Sequence, residues 1–154
     1  RQRGLDEMLR AFAASGRPML GICLGLQTLM DSSDEDGGVA GLGLLAGRVL
    51  RFEPDPPGTP AGERRKIPHM GWNGLAWRSD HPLWAGIPAD ARFYFVHSYY
   101  VSPEAVAVVA ARTDYGLRFV SAVGWNNVFA TQFHPEKSGR HGLDLLANFL
   151  AWQP

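Results

Sequence analysis

The sequence predicts an α/β fold, a mixed β-sheet with helices packed on it. Three observations carry this. Residues 4–14, 18–22 and 24–30 read in succession as helix, buried strand and helix, the alternation that marks α/β proteins. Residues 92–133 hold several strands and end in an antiparallel hairpin, and a last helix runs from about Gly139 to Trp152. No internal repeat, low-complexity tract or interdomain linker interrupts the 154 residues, so one domain is expected over 1–154, long enough to bury a core.

Each element has a local reason. Leu5, Met8, Leu9 and Phe12 fall at i, i+3, i+4, i+7 and form one apolar stripe on a helix over 4–14, with Asp6 and Glu7 near its positive end. The chain enters this helix directly, without an initiator methionine. Gly16 and Pro18 end it. "PMLGI" (18–22) is nearly all apolar, as for a strand covered on both faces. Helical patterning resumes from Leu24 to about Met30. "GRVLRFE" (47–53) alternates, with Leu50 and Phe52 set against Arg51 and Glu53, and reads as a half-exposed strand. Residues 54–66, with four prolines and three consecutive basic residues, read as a solvated loop. "RFYFVHSYYV" (92–101) and "AVAVVAAR" (105–112) are expected strands. "FVSAV" and "VFATQF" flank "GWNN", whose Asn126–Asn127 suits a tight hairpin turn. The final helix is expected to bury Leu143, Leu146, Ala147 and Leu150.

Composition excludes several classes of function. The 15 basic and 15 acidic residues cancel, which argues against a field that recruits nucleic acid or an anionic membrane. No apolar run approaches the roughly 20 residues that span a bilayer. A single cysteine cannot form an internal disulfide, so a reducing, cytoplasmic setting is expected. The five histidines are scattered, and neither a metal site nor a cofactor is expected.

That one cysteine has an unusual setting. "GICLG" (21–25) has the form G-x-nucleophile-x-G between a buried strand and a helix, the context of a nucleophile elbow. A strained backbone at Cys23 and close approaches at −2 and +2 would explain both glycines. The thiol would then project at the carboxyl end of its strand, where open α/β sheets bind ligands. The following helix N-terminus is expected to lower its pKa, and the Leu24 amide to donate to an oxyanion. The competing reading is a small buried hydrophobe, the usual fate of a free cysteine.

A thiol nucleophile needs a base, and the base an orienting group. "TQFHPEKSG" (131–139) offers both. Pro135 disfavours helical geometry at His134, so the segment is expected to be extended, with His134 and Glu136 on one face. A plain surface turn is the alternative. His97 is the rival base, although a structural role in the pocket wall suits it better, and His69 and His141 have weaker claims.

"PMLGICLGLQ" together with "QFHPEKSG" resembles the triad glutaminases, the class I glutamine amidotransferases. "IPHMGWN" (67–73) and "YFVHSYY" (94–100) look like the branch formed by the glutaminase subunits of imidazole glycerol phosphate synthase, in histidine biosynthesis. The resemblance covers the chain from residue 1 to the C-terminal helix, least strongly over 54–66. It implies a three-layer, flavodoxin-like open sheet. It implies that Cys23 attacks the carboxamide of glutamine, that His134, held by Glu136, moves the proton, and that water hydrolyses the thioester. Gln27 and the backbone around Ser98 and Tyr99 would hold the amino-acid end of glutamine; otherwise Gln27 is a partly exposed helix residue. Ammonia would pass to a (β/α)8-barrel cyclase that makes imidazole glycerol phosphate and aminoimidazole carboxamide ribotide. Trp72, Asn73, Tyr94 and Lys137 match positions near that partner, with core packing an equal alternative for Trp72 and Tyr94.

Family members carry roughly sixty further residues ahead of this starting point, including a loop that supplies a second oxyanion donor. The expectation is therefore an N-terminally incomplete domain. Two other functions stay open on the sequence alone: another Cys-His-Glu hydrolase such as a γ-glutamyl hydrolase or peptidase, and an inactive subunit that only binds the barrel.

Overall fold

The structure is a computed structural model that describes residues 3–60 and 64–154. In chain order the elements are α1 (Arg3–Ala14), β1 (Met19–Ile22), α2 (Leu24–Gln27), β2 (Met30–Ser33), β3 (Val39–Ala40), β4 (Leu45–Arg51), β5 (His69–Gly74), β6 (Trp77–Arg78), β7 (Arg92–His97), β8 (Tyr99–Pro103), β9 (Val109–Asp114), β10 (Arg118–Trp125), β11 (Val128–Thr131) and α3 (Gly139–Ala151). One mixed sheet follows the order β1-β11-β10-β8-β4-β2-β3, with β9 on the other edge of β10 and β6 on β9. The β1–β11 and β2–β4 pairs are parallel, and the other pairs in this sheet are antiparallel. β5 and β7 form a separate antiparallel ribbon.

Alternation along the central strands feeds two cores, one on each face of the sheet. Phe119, Ala122 and Phe129 point to an aromatic core that also holds Phe93, Phe95, Phe133, Trp84 and Leu145 of α3. Val120, Val123, Val128 and Ala130 point the other way, against Leu26 and Leu29, with Ala13 of α1 at the margin. The expected α/β class and mixed sheet are what is observed, with structure on both faces.

The hairpin between β10 and β11 forms as expected: Trp125 pairs with Val128, and Asn126 takes a positive φ of 46° in the turn. The Asn127 side chain donates to the carbonyls of Ala13 (2.9 Å) and Arg17 (2.8 Å), and its own carbonyl accepts from Met19 N (2.8 Å). One turn residue thus ties the end of α1 and the start of β1 to the head of β11.

Several boundaries and faces differ from the sequence reading. The segment after Cys23 is a single helical turn, and Met30 already belongs to a strand, because Met30 pairs with Leu45 of β4. β1 is half-buried rather than covered on both faces, and among the described residues it pairs with β11 alone. In β4 the inward positions are Leu45, Gly47 and Val49; Leu50 is half-buried, and Phe52 is buried just beyond the strand. The run 92–101 is two strands, because Ser98 breaks it and β7 and β8 pair in different sheets. The expected strand over 105–112 starts later, at Val109, after a 3-10 turn at Val106–Val108. Residues 54–60 and 64–66 form a loop as expected, pinned by an Arg65–Asp55 ion pair at 2.6 Å; 61–63 lie outside the described residues.

α3 buries a different face from the one expected. Gly142 and Leu145 are buried and Phe149 packs on the aromatic core, whereas Leu143, Ala147 and Leu150 are exposed. The helix lies so close to the preceding turn that a Cβ at Gly142 would collide with the Pro135 carbonyl. That contact selects the face.

Candidate active site

The parallel pairing of β1 with β11 brings the two ends of the chain together. Ile22 stands opposite Thr131, and Cys23 N donates to Thr131 O at 2.7 Å. Cys23 leaves the carboxyl end of β1 and His134 follows three residues after the end of β11. At the same place β11 stops pairing with β10, and β8, starting at Tyr99, takes over that edge. Such a split in strand order is where open α/β sheets leave room for ligands.

Cys23 has φ 52° and ψ −103°, a conformation that costs an L-residue about 1–3 kcal/mol and recurs at functional turns. The strain expected of an elbow is present. The two glycines divide the work unequally. A Cβ on Gly21 would lie 2.9 Å from Ala130 Cβ and 3.0 Å from the Gly25 backbone. A Cβ on Gly25 would meet nothing within 4 Å, so the close approach expected at +2 is not found and only the glycine at −2 is required by space.

The thiol pKa is raised, not lowered as expected from the helix N-terminus. Burial is the dominant cause; the Leu24 amide and the Gln132 side chain pull the other way, Glu136 adds to the rise and Lys137 opposes it. A helix of four residues has little dipole to offer. The thiol therefore rests protonated at neutral pH and depends on a base for activation.

His134 Nδ1 lies 2.7 Å from Glu136 Oε1, so Nδ1–H donates to the carboxylate. This leaves Nε2 as the basic nitrogen, and it is buried without a hydrogen-bond partner among the described residues. The route to this contact differs from the one expected. His134 itself is extended (φ −101°, ψ 96°), but Pro135–Lys137 form a 3-10 turn that brings the carboxylate back to the ring. Ser138 Oγ holds that turn by donating to His134 O (2.6 Å) and accepting from Tyr94 N (2.9 Å).

Cys23, Leu24, Gln27, His97, Ser98 and Tyr99 are among the residues that line an open cavity of about 310 Å³ beside the sulfur. Gln27 is buried, and its Nε2 donates to Tyr99 O (3.1 Å) and to Gln132 Oε1 (3.2 Å). Ser98 O accepts from Phe52 N (3.0 Å), which fixes the bend between β7 and β8. His97 is not free to act as a base: Nδ1 bonds Tyr99 O (2.7 Å) and Nε2 faces His69 Nδ1 (3.0 Å). Burial lowers the His97 pKa to about 3 and that of His69 to about 4, so both rings are neutral. His141 sits on α3 facing Asp144 at 3.8 Å.

The four residues expected near a partner do not share one face. Trp72 and Tyr94 are cross-strand neighbours with ring centroids 6.2 Å apart, and Trp72 is 48% exposed. Lys137 is exposed on the turn that packs against β7. Asn73 projects from the other side of β5 and donates to Asp114 O (3.0 Å). Sequence reading missed Gln132 altogether. Its signal was an amide inside the apolar run "VFATQF", a buried polar group that must find partners.

Residues 2–152 match the glutamine amidotransferase class-I family, and the chain belongs to it. The likeness to individual relatives is finer. The chain is 56% identical over 153 residues to the imidazole glycerol phosphate synthase subunit HisH of Aromatoleum aromaticum, covering 99% of this chain and 71% of the relative. It is likewise 56% identical over 154 residues to the subunit of that name in Methylococcus capsulatus, covering 99% and 70%. These identities place it in the HisH branch of the class. Among solved structures, a glutamine amidotransferase of Thermotoga maritima superposes with a TM-score of 0.58 at 18% identity, over 97% of this chain and 54% of that one. A Thermoplasma acidophilum protein described as part of a GMP synthase gives 0.62 at 20% identity, over 92% and 60%. At that identity the agreement is one of fold.

Proposed function

We propose that the protein hydrolyses glutamine to glutamate and ammonia and delivers the ammonia to a barrel-shaped cyclase that forms imidazole glycerol phosphate and aminoimidazole carboxamide ribotide. One observation carries the chemistry: a cysteine on a strained elbow stands at the same strand end as a histidine whose Nδ1 is locked on a carboxylate and whose Nε2 has no partner among the described residues. His134 Nε2 takes the Cys23 proton as sulfur bonds to the carboxamide carbon. The oxyanion forms against the Leu24 amide. His134 then gives its proton to the departing ammonia, leaving a γ-glutamyl thioester. Water, deprotonated by the same nitrogen, attacks the thioester, and glutamate leaves as the thiol is restored.

Gln27 and the backbone at Ser98 and Tyr99 border the cavity that would hold the amino-acid end of glutamine. Trp72 and Tyr94, with Lys137 on the adjoining turn, form the face we assign to the cyclase. Ammonia is protonated in bulk water and loses its nucleophilicity, so a sealed route between subunits has a chemical reason. The free thiol suits a reducing, cytoplasmic setting.

The test is a complex with the cyclase. Cys23→Ala is expected to abolish glutamine-dependent synthesis while synthesis from an added ammonium salt persists; equal loss of both would make the cysteine structural. His134→Ala is expected to cost about 10²–10⁴-fold in kcat and Glu136→Gln less, since the second change leaves the base in place. The reverse order would overturn the assignment. Cleavage of γ-glutamyl peptides without glutamine turnover would point to a different hydrolase.

A further inference from the structure

We propose that Gln132 is a catalytic residue of the thiol centre, its side-chain amide donating a hydrogen bond to the Cys23 sulfur in an orientation fixed by a one-way chain of hydrogen bonds. The inference rests on Cys23 being the nucleophile, as read above.

Gln132 is fully buried one residue beyond β11, and its backbone N donates to Ser121 O at 2.8 Å. Its Nε2 lies 3.6 Å from Cys23 Sγ, within the longer reach of a sulfur acceptor. Which end of the amide faces the sulfur is decided by one atom elsewhere, the carbonyl oxygen of Tyr99, which can only accept. The Gln27 atom on that carbonyl must therefore be the amine nitrogen, at 3.1 Å. The same nitrogen donates its second hydrogen across 3.2 Å to Gln132, so the Gln132 atom it meets must be Oε1. The remaining end of Gln132, aimed at the sulfur, is then a donor.

The other lone pair of the Tyr99 carbonyl is held just as firmly. His97 Nδ1 donates to it at 2.7 Å, which makes Nε2 of the neutral ring an acceptor. His69 Nδ1 donates to that nitrogen at 3.0 Å, leaving His69 Nε2 to accept from Asn73 Nδ2 at 3.4 Å. No link can reverse without leaving two acceptors or two donors face to face in a buried space. Asn73, His69, His97 and Gln27 are positioning residues; Gln132 alone among them touches the reacting atom.

A donor aimed at sulfur favours the thiolate over the thiol, because hydrogen bonds to a charged acceptor are the stronger ones. That opposes the effect of burial on Cys23, as the Leu24 amide and Lys137 also do, while Glu136 acts with burial. Gln132 would thus hold the sulfur toward the cavity and keep it ionisable once His134 takes the proton.

Alkylation of Cys23 by iodoacetamide, followed by mass spectrometry across pH on the complete chain, reads the thiol directly. Gln132→Met is expected to raise the pH midpoint of alkylation by about one unit, equivalent to about tenfold less thiolate at neutral pH. Gln132→Glu keeps the shape and replaces the donor by an acceptor, and is expected to raise it further. Glutamine kcat should fall about tenfold or more in both, with KM little changed. An unchanged midpoint in folded variants overturns the proposal, whatever happens to turnover. If Gln132→Met does not fold, Gln132→Glu and Gln27→Met, which removes the orienting donor, are judged by the same midpoint. A Gln132-dependent midpoint in a protein that never turns over glutamine would instead reject the glutaminase reading and leave this contact standing.

Discussion

Cys23 shows how a single residue can set stability against reactivity. Its positive φ is unfavourable for any residue with a Cβ, yet it aims the sulfur out of the sheet. Glycine normally destabilises regular structure relative to alanine, but here the order should invert. Cys23→Gly is expected to be more stable than Cys23→Ala by about 1–2 kcal/mol, measured by urea denaturation. Equal stabilities would show that the elbow stores no strain. Much at this scale was legible in the sequence. The residues we propose as nucleophile, base and orienting carboxylate each stood beside a recognisable neighbour: glycines around Cys23, proline after His134. Gln132 and the His69–His97 pair were not legible, because their roles depend on contacts between residues 28 to 109 positions apart. The rise in thiol pKa also escaped, since burial is a property of the whole site and the motif marks only the turn.

At the level of elements, period and length misled where several solutions fitted. Leu143, Leu145, Leu146, Phe149 and Leu150 place apolar side chains around most of α3, so periodicity alone could not choose a face. The close approach at Gly142 chose it, and that is a tertiary contact. Leu145→Ala is accordingly expected to cost about 2–5 kcal/mol, and Leu150→Ala, at an 85% exposed position, less than about 0.5 kcal/mol. Thermal melts of the two variants would check this, and the reverse order of losses would mean that the helix packs on its other face. The unbroken run of β-forming residues over 92–101 misled in the same way. It marks the segment as extended, but the change of partner strand at Ser98 leaves no mark on it.

For the whole molecule, the neutral histidine pair makes stability depend on pH. In the unfolded chain both rings titrate near 6.5; in the folded protein they titrate near 4 (His69) and 3 (His97). Between these values the unfolded state binds more protons, so stability rises with pH. It is complete above about 6.5 and is lost progressively as pH falls toward 4 and then 3. Denaturation midpoints followed from neutral to acid pH should drop through this window, and His97→Gln should flatten the drop. A drop of the same size in that variant would assign the effect to other groups. Beside the ribbon that carries this pair, the larger sheet brings residues 23 and 134 together, through a ladder of only four parallel pairs from Met19–Val128 to Ile22–Thr131. Asn127 sits at the opposite end of that ladder and grips three main-chain atoms there. At about 3.3 Å per residue, the datum from which sulfur and imidazole are measured out therefore lies roughly 13 Å from the chemistry. A reaction that depends on close alignment is thereby calibrated by a turn amide at the far end of the ladder.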